Sequence, residues 1–183
     1  MAKKYIRDRE TWLSYFLLGY YGYLINILGP ITPFLRDELN ISYTTAGFHF
    51  SAFAAGMLLA GFMGERLQRL LGFQKAIWYA ALGLAGGTLI LVFGRTVTIT
   101  LCATFLMGFL GSFILVLVPS MLSLKYKEQS AIALTELNVV ASLASMMAPL
   151  LVGLLANFWF GWRAALVISI LGLVMLVIVY YQR

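Results

Sequence analysis

Very few side chains in the long apolar stretches of this chain can bind a polar solute or exchange a proton. Glu136 is the only acidic residue well inside such a stretch, and His49 is the only histidine. A carboxylate in an apolar layer can carry a proton or bind a cation, and an imidazole can sense protons near neutral pH. Amides can hydrogen-bond a polar solute. We therefore expect a substrate or proton cavity that uses Tyr23, Asn26, His49, Glu136 and Asn138.

Each of these candidates also has a purely structural interpretation, which the sequence leaves open. Glu136 can be a protonated or hydrogen-bonded carboxyl that holds helices together, and His49 can hydrogen-bond a neighbouring helix. The amides of Asn26 and Asn138 can bridge helices at about 1 kcal/mol each. On one helix Glu136 and Asn138 point about 160° apart, so both cannot face one narrow cavity.

The first apolar stretch carries one mixed polar face. At about 100° per residue, Tyr23 and Asn26 lie within about 60° of one line along the helix. The same line carries Tyr15, Gly19, Pro30 and Pro33. A lipid-facing surface seldom carries that mixture, so this face is predicted to turn away from lipid. Tyr23 also belongs to an aromatic cluster with Tyr20 and Tyr21, and such clusters often serve packing or an interfacial belt.

The elements that must position these residues are membrane-spanning helices. Of the 183 residues, 62% are hydrophobic and 11% are charged, and the mean hydropathy is +0.91. That leaves too little polar surface for a water-soluble globule. Apolar runs of roughly 20 residues, the length that spans a bilayer, predict an all-α polytopic membrane protein with a single domain over residues 1–183. The six predicted spans are Thr11–Leu35, Thr44–Met63, Phe73–Phe93, Thr96–Leu124, Ser130–Ala156 and Gly161–Tyr180.

The charges are distributed by membrane side. The net charge is +6, but the basic residues do not cluster as a groove-binding patch, so nucleic acid is not an expected partner. With the N-terminus inside, ten basic residues fall in inner segments and three in outer ones. The inner residues are Lys3, Lys4, Arg7, Arg9, Arg66, Arg69, Lys75, Lys125, Lys127 and Arg183, and the outer ones are Arg36, Arg95 and Arg163. This asymmetry predicts that both termini are cytoplasmic.

The sequence offers no constellation of an enzyme or a metal centre. One histidine and one cysteine are too few soft ligands for a zinc site built by this chain. No nucleophile and base are paired, and the glycine-rich stretches lie within apolar spans rather than after a strand. We therefore expect no catalytic residues, no metal and no cofactor.

Small residues recur every fourth position on two predicted spans. In lipid, such stripes let helix backbones approach closely, and packing must supply the attraction. The residues predicted to pack in this way are Gly56, Ala60, Gly64, Pro149 and Gly153.

The connector between the second and third spans carries a distinctive pattern. Gly61-Phe-Met-Gly-Glu65-Arg66-Leu-Gln-Arg69 resembles the loop signature of the major facilitator superfamily. The resemblance implies that Gly61, Glu65, Arg66 and Arg69 form a cytoplasmic gating loop, with Glu65 and Arg66 as a conformational latch. The alternative is that both charges merely anchor the loop in solvent.

Later segments resemble further signatures of the same family. Ala148-Pro149-Leu-Leu-Val-Gly153 is similar to its fifth-helix pattern, and Gly161-Trp162-Arg163 is similar to the opening of its sixth helix. The resemblance covers essentially the whole chain. It implies six helices arranged as 3+3 inverted repeats, equivalent to the N-terminal half of a transporter that usually has two such halves.

The resemblance also implies a function. The expected activity is transport of a small organic solute by alternating access across a plasma or bacterial inner membrane, with proton coupling through Glu136 left open. The expected partners are the lipid bilayer, the solute and a second six-helix half, which is either a missing C-terminal half or a second copy in a parallel homodimer. The alternative is a structural or channel-like six-helix assembly without alternating access.

Overall fold

The computed structural model describes residues 5–158 and 161–181 of the chain. They form α1 (Arg9–Leu39), α2 (Tyr43–Phe93), α3 (Val97–Tyr126), a 3-10 turn (Lys127–Gln129), α4 (Ser130–Ala156) and α5 (Arg163–Tyr181). Within these ranges there is no strand, which confirms the all-α prediction.

Helix α1 is longer than its predicted span. Pro30 and Pro33 both lie inside the helix and do not end it. The helix starts where the Asp8 side chain accepts a hydrogen bond from the Thr11 amide, and it ends at Asn40, whose backbone is left-handed with φ 51°. Both are ordinary helix caps, because a carboxylate satisfies a free amide and asparagine tolerates positive φ.

Helix α2 turns back on itself at Gly72. This residue has φ 75° and ψ 164°, a conformation that glycine adopts at little cost because it has no Cβ. The connector predicted between the second and third spans is helical up to residue 71 and again from residue 73, so it is not a loop. We call residues 43–71 the first limb and residues 73–93 the second limb.

Both limbs of α2 pack on the same part of α3. A methyl group at Gly56 of the first limb would overlap the Phe105 carbonyl oxygen. A methyl group at Gly87 of the second limb would lie 2.8 Å from Met107 Cγ. Since Gly56 and Gly87 lie at similar distances along the chain from Gly72, the two limbs form an antiparallel helical hairpin.

Three helical stretches among the described residues are long and apolar enough to cross a membrane: Tyr43–Phe93, Val97–Ala156 and Arg163–Tyr180. The predicted count of six spans is therefore not confirmed. The first stretch contains both limbs of α2, and the second contains α3, the 3-10 turn and α4. Helix α1 is not among the three, and its tyrosines and Asn26 make it less apolar than the others.

Helix α1 lies in the centre of the hydrophobic core. Its buried side chains include Leu24 and Ile27, both with no exposed surface. A methyl group at Gly22 would lie 2.8 Å from Ser145 Oγ and 3.0 Å from the Ala141 carbonyl oxygen of α4. The small-residue stripe on α4 consists of Ala141, Ser145, Pro149 and Gly153, at a spacing of four residues. Its first half, Ala141 and Ser145, thus provides the close approach to α1.

The predicted packing residues fall into two groups. Gly56, Ala60 and Gly64 of the first limb are buried, and a methyl group at Gly64 would lie 3.4 Å from Val116 of α3. Pro149 of α4 is exposed, and a methyl group at Gly153 would meet nothing within 4 Å. The far half of the α4 stripe therefore has no neighbouring helix among the described residues.

Candidate functional site

Glu136 lies about 9 Å along α4 from its first residue, Ser130. Its carboxylate forms a bidentate contact with Arg7. The arginine Nε donates to Oε2 at 2.8 Å, and its Nη2 donates to Oε1 at 2.5 Å. The Tyr15 hydroxyl donates to Oε2 at 2.9 Å, and the Tyr5 hydroxyl does so at 3.3 Å. We call Tyr5, Arg7, Tyr15 and Glu136 the Glu136 cluster.

The Glu136 cluster is partly buried and charge-balanced. The Glu136 side chain keeps 27% of its surface exposed and Arg7 keeps 49%. A two-pronged guanidinium contact is the strongest arrangement available to a carboxylate, because two parallel N–H groups match its two oxygens. The hydrogen bonds that Arg7 donates to Glu136, together with the negative charge of that carboxylate, raise the pKa of the Arg7 guanidinium, so Arg7 stays charged. The arrangement can hold a negative charge in the second turn of α4.

The segment that carries Tyr5 and Arg7 lies across the end of α3. The Tyr126 hydroxyl donates to the Ile6 carbonyl oxygen at 2.8 Å, and the rings of Tyr126 and Tyr5 lie 4.8 Å apart. Lys125 Nζ pairs with Asp8 at 2.6 Å and with Glu10 at 2.7 Å. Burial acts to raise the pKa of Asp8, but hydrogen bonds from Lys125 and Thr11 outweigh it and hold that pKa below its usual value.

The structure separates His49 from Glu136. His49 is buried between α2 and α3, where Nδ1 lies 3.0 Å from the Ala46 carbonyl oxygen and Nε2 lies 2.9 Å from Thr100 Oγ1. A carbonyl only accepts, so Nδ1 carries the hydrogen in its contact with Ala46. The Thr100 hydroxyl also lies within hydrogen-bond distance of the Thr96 and Val97 carbonyl oxygens. Both ring nitrogens of His49 thus have hydrogen-bond partners within the protein.

Tyr23 and the two amides also lie apart from the Glu136 cluster. The buried Tyr23 hydroxyl donates to the Ala165 carbonyl oxygen at 2.8 Å and so ties α1 to α5. Asn26 and Asn138 are exposed, and each amide donates to a carbonyl of its own helix, at 2.9 Å and 2.8 Å respectively. Neither amide bridges helices. The five predicted cavity residues therefore do not form one site in this structure.

The predicted gating residues lie on the exposed last turns of the first limb of α2. Glu65 and Arg69 pair at 2.7 Å, and both side chains are about three-quarters exposed. Gly61 and Arg66 are also exposed, and a methyl group at Gly61 would meet nothing within 4 Å. These residues form a helical surface next to the Gly72 turn rather than a loop.

A second charged cluster lies at the opposite end of α1. Glu38 pairs with Arg95 at 2.6 Å and with Arg163. Arg163 also donates from Nε to the Val92 carbonyl oxygen at 2.8 Å and from Nη2 to that of Gly94 at 3.1 Å. We call Glu38, Arg95 and Arg163 the Glu38 cluster. It joins the end of α1, the end of α2 and the start of α5.

The Glu38 cluster explains the Gly161-Trp162-Arg163 motif. Gly161 has φ 61°, which favours glycine. Arg163 stacks at 4.2 Å on the Trp162 ring while it caps the last carbonyls of α2. Burial acts to raise the pKa of Glu38, but Arg163 and Arg95 outweigh it and lower that pKa.

Sequence reasoning missed the partners of Glu136. Arg7 entered only as one of the inner basic residues, and Tyr5 was not singled out. Tyr15 was the one partner with a signal, because it lies on the mixed polar face of the first span. The segment before α1 has no periodic sequence pattern, so its position next to Glu136 could not be predicted.

Comparison with known proteins gives two matches. A family model described as Major Facilitator Superfamily matches residues 11–183. The chain is also 22% identical over 161 residues to a protein named Protein TsgA homolog from Serratia proteamaculans (strain 568). That alignment covers 85% of this chain and 40% of the relative, so the chain spans well under half of the relative's length.

Proposed function

Because the chain belongs to the major facilitator superfamily and is an integral, multi-pass membrane protein, we propose that it forms one half of a secondary transporter. The transporter moves a small organic solute across a plasma or bacterial inner membrane by alternating access. The relative's extra length is enough for a second unit of similar size. That second half is either a C-terminal continuation or another copy of this chain in a parallel homodimer.

The proposal includes six crossings, arranged as 3+3 inverted repeats with both termini cytoplasmic. The hairpin in α2 supports it, because one straight helix of 51 residues would extend about 77 Å, more than twice the hydrocarbon core of about 30 Å. Two antiparallel limbs against the same part of α3 fit two crossings instead. The 3-10 turn between α3 and α4 separates two further crossings.

The observation that carries the mechanism is the Arg7–Glu136 pair. A carboxylate at the edge of the apolar layer is costly to leave without a partner. Release of Arg7 therefore requires a replacement, which is a proton or the cationic group of a solute. In this proposal Arg7 occupies the site in one conformation, and its replacement permits the other.

The exposed surface around Glu65, Arg66 and Arg69 has a role in the same proposal. It lies beside the Gly72 turn, at the end of the bundle where α1 also begins, since Gln74 donates a hydrogen bond to Glu10 at 3.0 Å. Its unburied charges are available to pair with the second half when the cytoplasmic side closes. Asn26 and Asn138, exposed on α1 and α4, would then face a solute held between the halves.

Transport by the reconstituted full chain tests the proposal. Proteoliposomes are loaded with a pH-sensitive dye and supplied with labelled hexoses, amino acids and organic cations. We expect one class to show saturable uptake with counterflow, coupled to a pH change that Glu136→Gln abolishes. A transport-competent Glu136→Gln variant with unchanged coupling would remove Glu136 from the proton pathway. Rapid flux that does not saturate would favour the channel-like alternative.

A further inference from the structure

Two cavities share Tyr180 as a lining residue, close to the first turn of α1. The first has a volume of about 620 Å³ and lies between α1, the second limb of α2, α3 and the end of α5. Its polar lining consists mainly of Arg9, Glu10, Gln74, Lys75, Trp78 and Tyr180. Tryptophan and tyrosine side chains of this kind favour the boundary between lipid and water. The cavity is therefore suited to a polar group at the membrane surface.

The charges around this first cavity favour an anion. Arg9 donates to the Val179 carbonyl oxygen and stacks at 5.3 Å on the Tyr180 ring, without a carboxylate partner among the described residues. Lys75 is exposed, and it too forms no ion pair within the described part of the chain. Glu10 is already held by Lys125 at 2.7 Å and by Gln74 at 3.0 Å.

The charge balance stays positive when the ion-pair partners of Glu10 within the described residues are included. Lys125 is shared between Glu10 and Asp8. The cations Arg9, Lys75 and Lys125 therefore outnumber the two carboxylates by one. Arg9 and Lys75 are the two that remain available to a ligand.

The second cavity is almost entirely apolar. It has a volume of about 580 Å³ and lies along α5, against α1 and α4. It extends from Ile168 to Tyr180, which is about 18 Å along the helix and comparable to one leaflet of a hydrocarbon core of about 30 Å. Only 22% of the stretch Arg163–Tyr180 is buried, so this side of the molecule is open to lipid.

We propose that the two cavities together bind one anionic phospholipid from the leaflet at which α1 begins. Its phosphate lies between Arg9 and Lys75, and an acyl chain runs along α5 in the apolar cavity. Tyr180 lines both cavities and connects the two parts of the site. A basic pocket between helices at the membrane surface is a recognised way to hold anionic headgroups. This site is independent of Glu136 and of the transported solute.

Lipid retention by the purified full chain tests this site. The detergent-solubilised chain is mixed with phosphatidylglycerol or phosphatidylcholine of identical acyl chains, and bound lipid is counted by native mass spectrometry. We expect phosphatidylglycerol to be retained and to raise the Tm, and phosphatidylcholine to bind more weakly. Equal retention of the two lipids would overturn the proposal.

Charge variants locate the headgroup. Lys75→Gln removes no partner within the described protein, so it should fold normally and lower phosphatidylglycerol affinity about fivefold, the equivalent of roughly 1 kcal/mol. Arg9→Gln should act in the same direction. Lys127→Gln is the matched control, because Lys127 is exposed and lines neither cavity. A loss as large in Lys127→Gln as in Lys75→Gln would contradict a specific site.

A substitution that fills the apolar cavity tests the position of the acyl chain. Gly172 lines the apolar cavity, and a methyl group there would meet nothing within 4 Å. Gly172→Leu should therefore fold but weaken lipid retention, whereas Gly153→Leu, at an open position of α4 outside both cavities, should not. If inorganic phosphate or glycerol phosphate raises the Tm as much as the lipid does, the site is a soluble-anion site and the lipid assignment fails.

Discussion

At the scale of single residues, the role proposed for Glu136 depends on the hydrogen bonds that Arg7 and two tyrosines donate to its carboxylate. Sequence reasoning found Glu136 because an acidic residue inside an apolar run is conspicuous. It could not find Arg7, since the segment before α1 has neither helical periodicity nor a motif. His49 was proposed as a proton-sensing residue because it is the only histidine in the sequence. In the structure its ring nitrogens form hydrogen bonds with Ala46 and Thr100.

The Arg7–Glu136 pair predicts a dependence of proton coupling on Arg7. In Arg7→Gln the carboxylate keeps its tyrosine partners but loses its cation, so protonation no longer competes with an arginine. We expect the midpoint of pH-dependent uptake to move upward in Arg7→Gln. Lys127→Gln, which changes an exposed basic residue outside the Glu136 cluster and outside both cavities, is the control. An unchanged midpoint in Arg7→Gln would show that Arg7 does not compete for Glu136.

His49 is predicted to contribute to stability and not to pH response. His49→Leu removes an interhelical hydrogen bond, which in a membrane protein is worth about 1 kcal/mol. Thermal unfolding in detergent should show that loss, while the pH profile of uptake should match the wild type. A shifted pH profile with normal folding would instead make His49 a proton site.

At the scale of helices, the bounds of α4 agree with the predicted span Ser130–Ala156. A long apolar run after a polar turn defines such a helix well, even though Glu136 and Asn138 interrupt it. The second connector was misjudged because its charges suggested a loop, although Glu65 and Arg69 pair along a helix and strong helix formers surround them. Within α2 only Gly72 interrupts the helix. It does so through its backbone angles, which cannot be predicted from the amino-acid composition of the connector.

The Gly72 turn predicts opposite effects for two glycine substitutions in α2. Gly72→Ala places a side chain at φ 75°, which should destabilise the protein by about 1–2 kcal/mol. Gly86→Ala lies inside the second limb with nothing within 4 Å of the added methyl group, so it should be neutral or stabilise by about 0.5–1 kcal/mol. Unfolding in detergent measures both. Equal effects would argue against a left-handed turn at Gly72.

At the scale of the whole molecule, the Glu38 cluster holds three helix ends together. The pKa of Glu38 is lowered from 4.5 in the folded protein, so its contribution to stability is present above that pH and is lost as the pH falls through the folded value. Wild-type stability should therefore decline as the pH drops below about 4.5. Glu38→Gln should be less stable at neutral pH and should lose part of this acid dependence. An identical acid dependence in both proteins would mean that other carboxylates are responsible.

The account depends most on the chain crossing the membrane six times, with α2 turning back at Gly72. Single cysteines in a Cys102→Ala background, probed in intact cells with a membrane-impermeant maleimide, test this directly. Asp37→Cys and Thr98→Cys lie near opposite ends of α2 in the chain and should both react from outside, whereas Leu70→Cys and Glu128→Cys should react only after permeabilisation. If Asp37→Cys and Thr98→Cys react from opposite sides, α2 crosses once and the six-crossing half-transporter is contradicted.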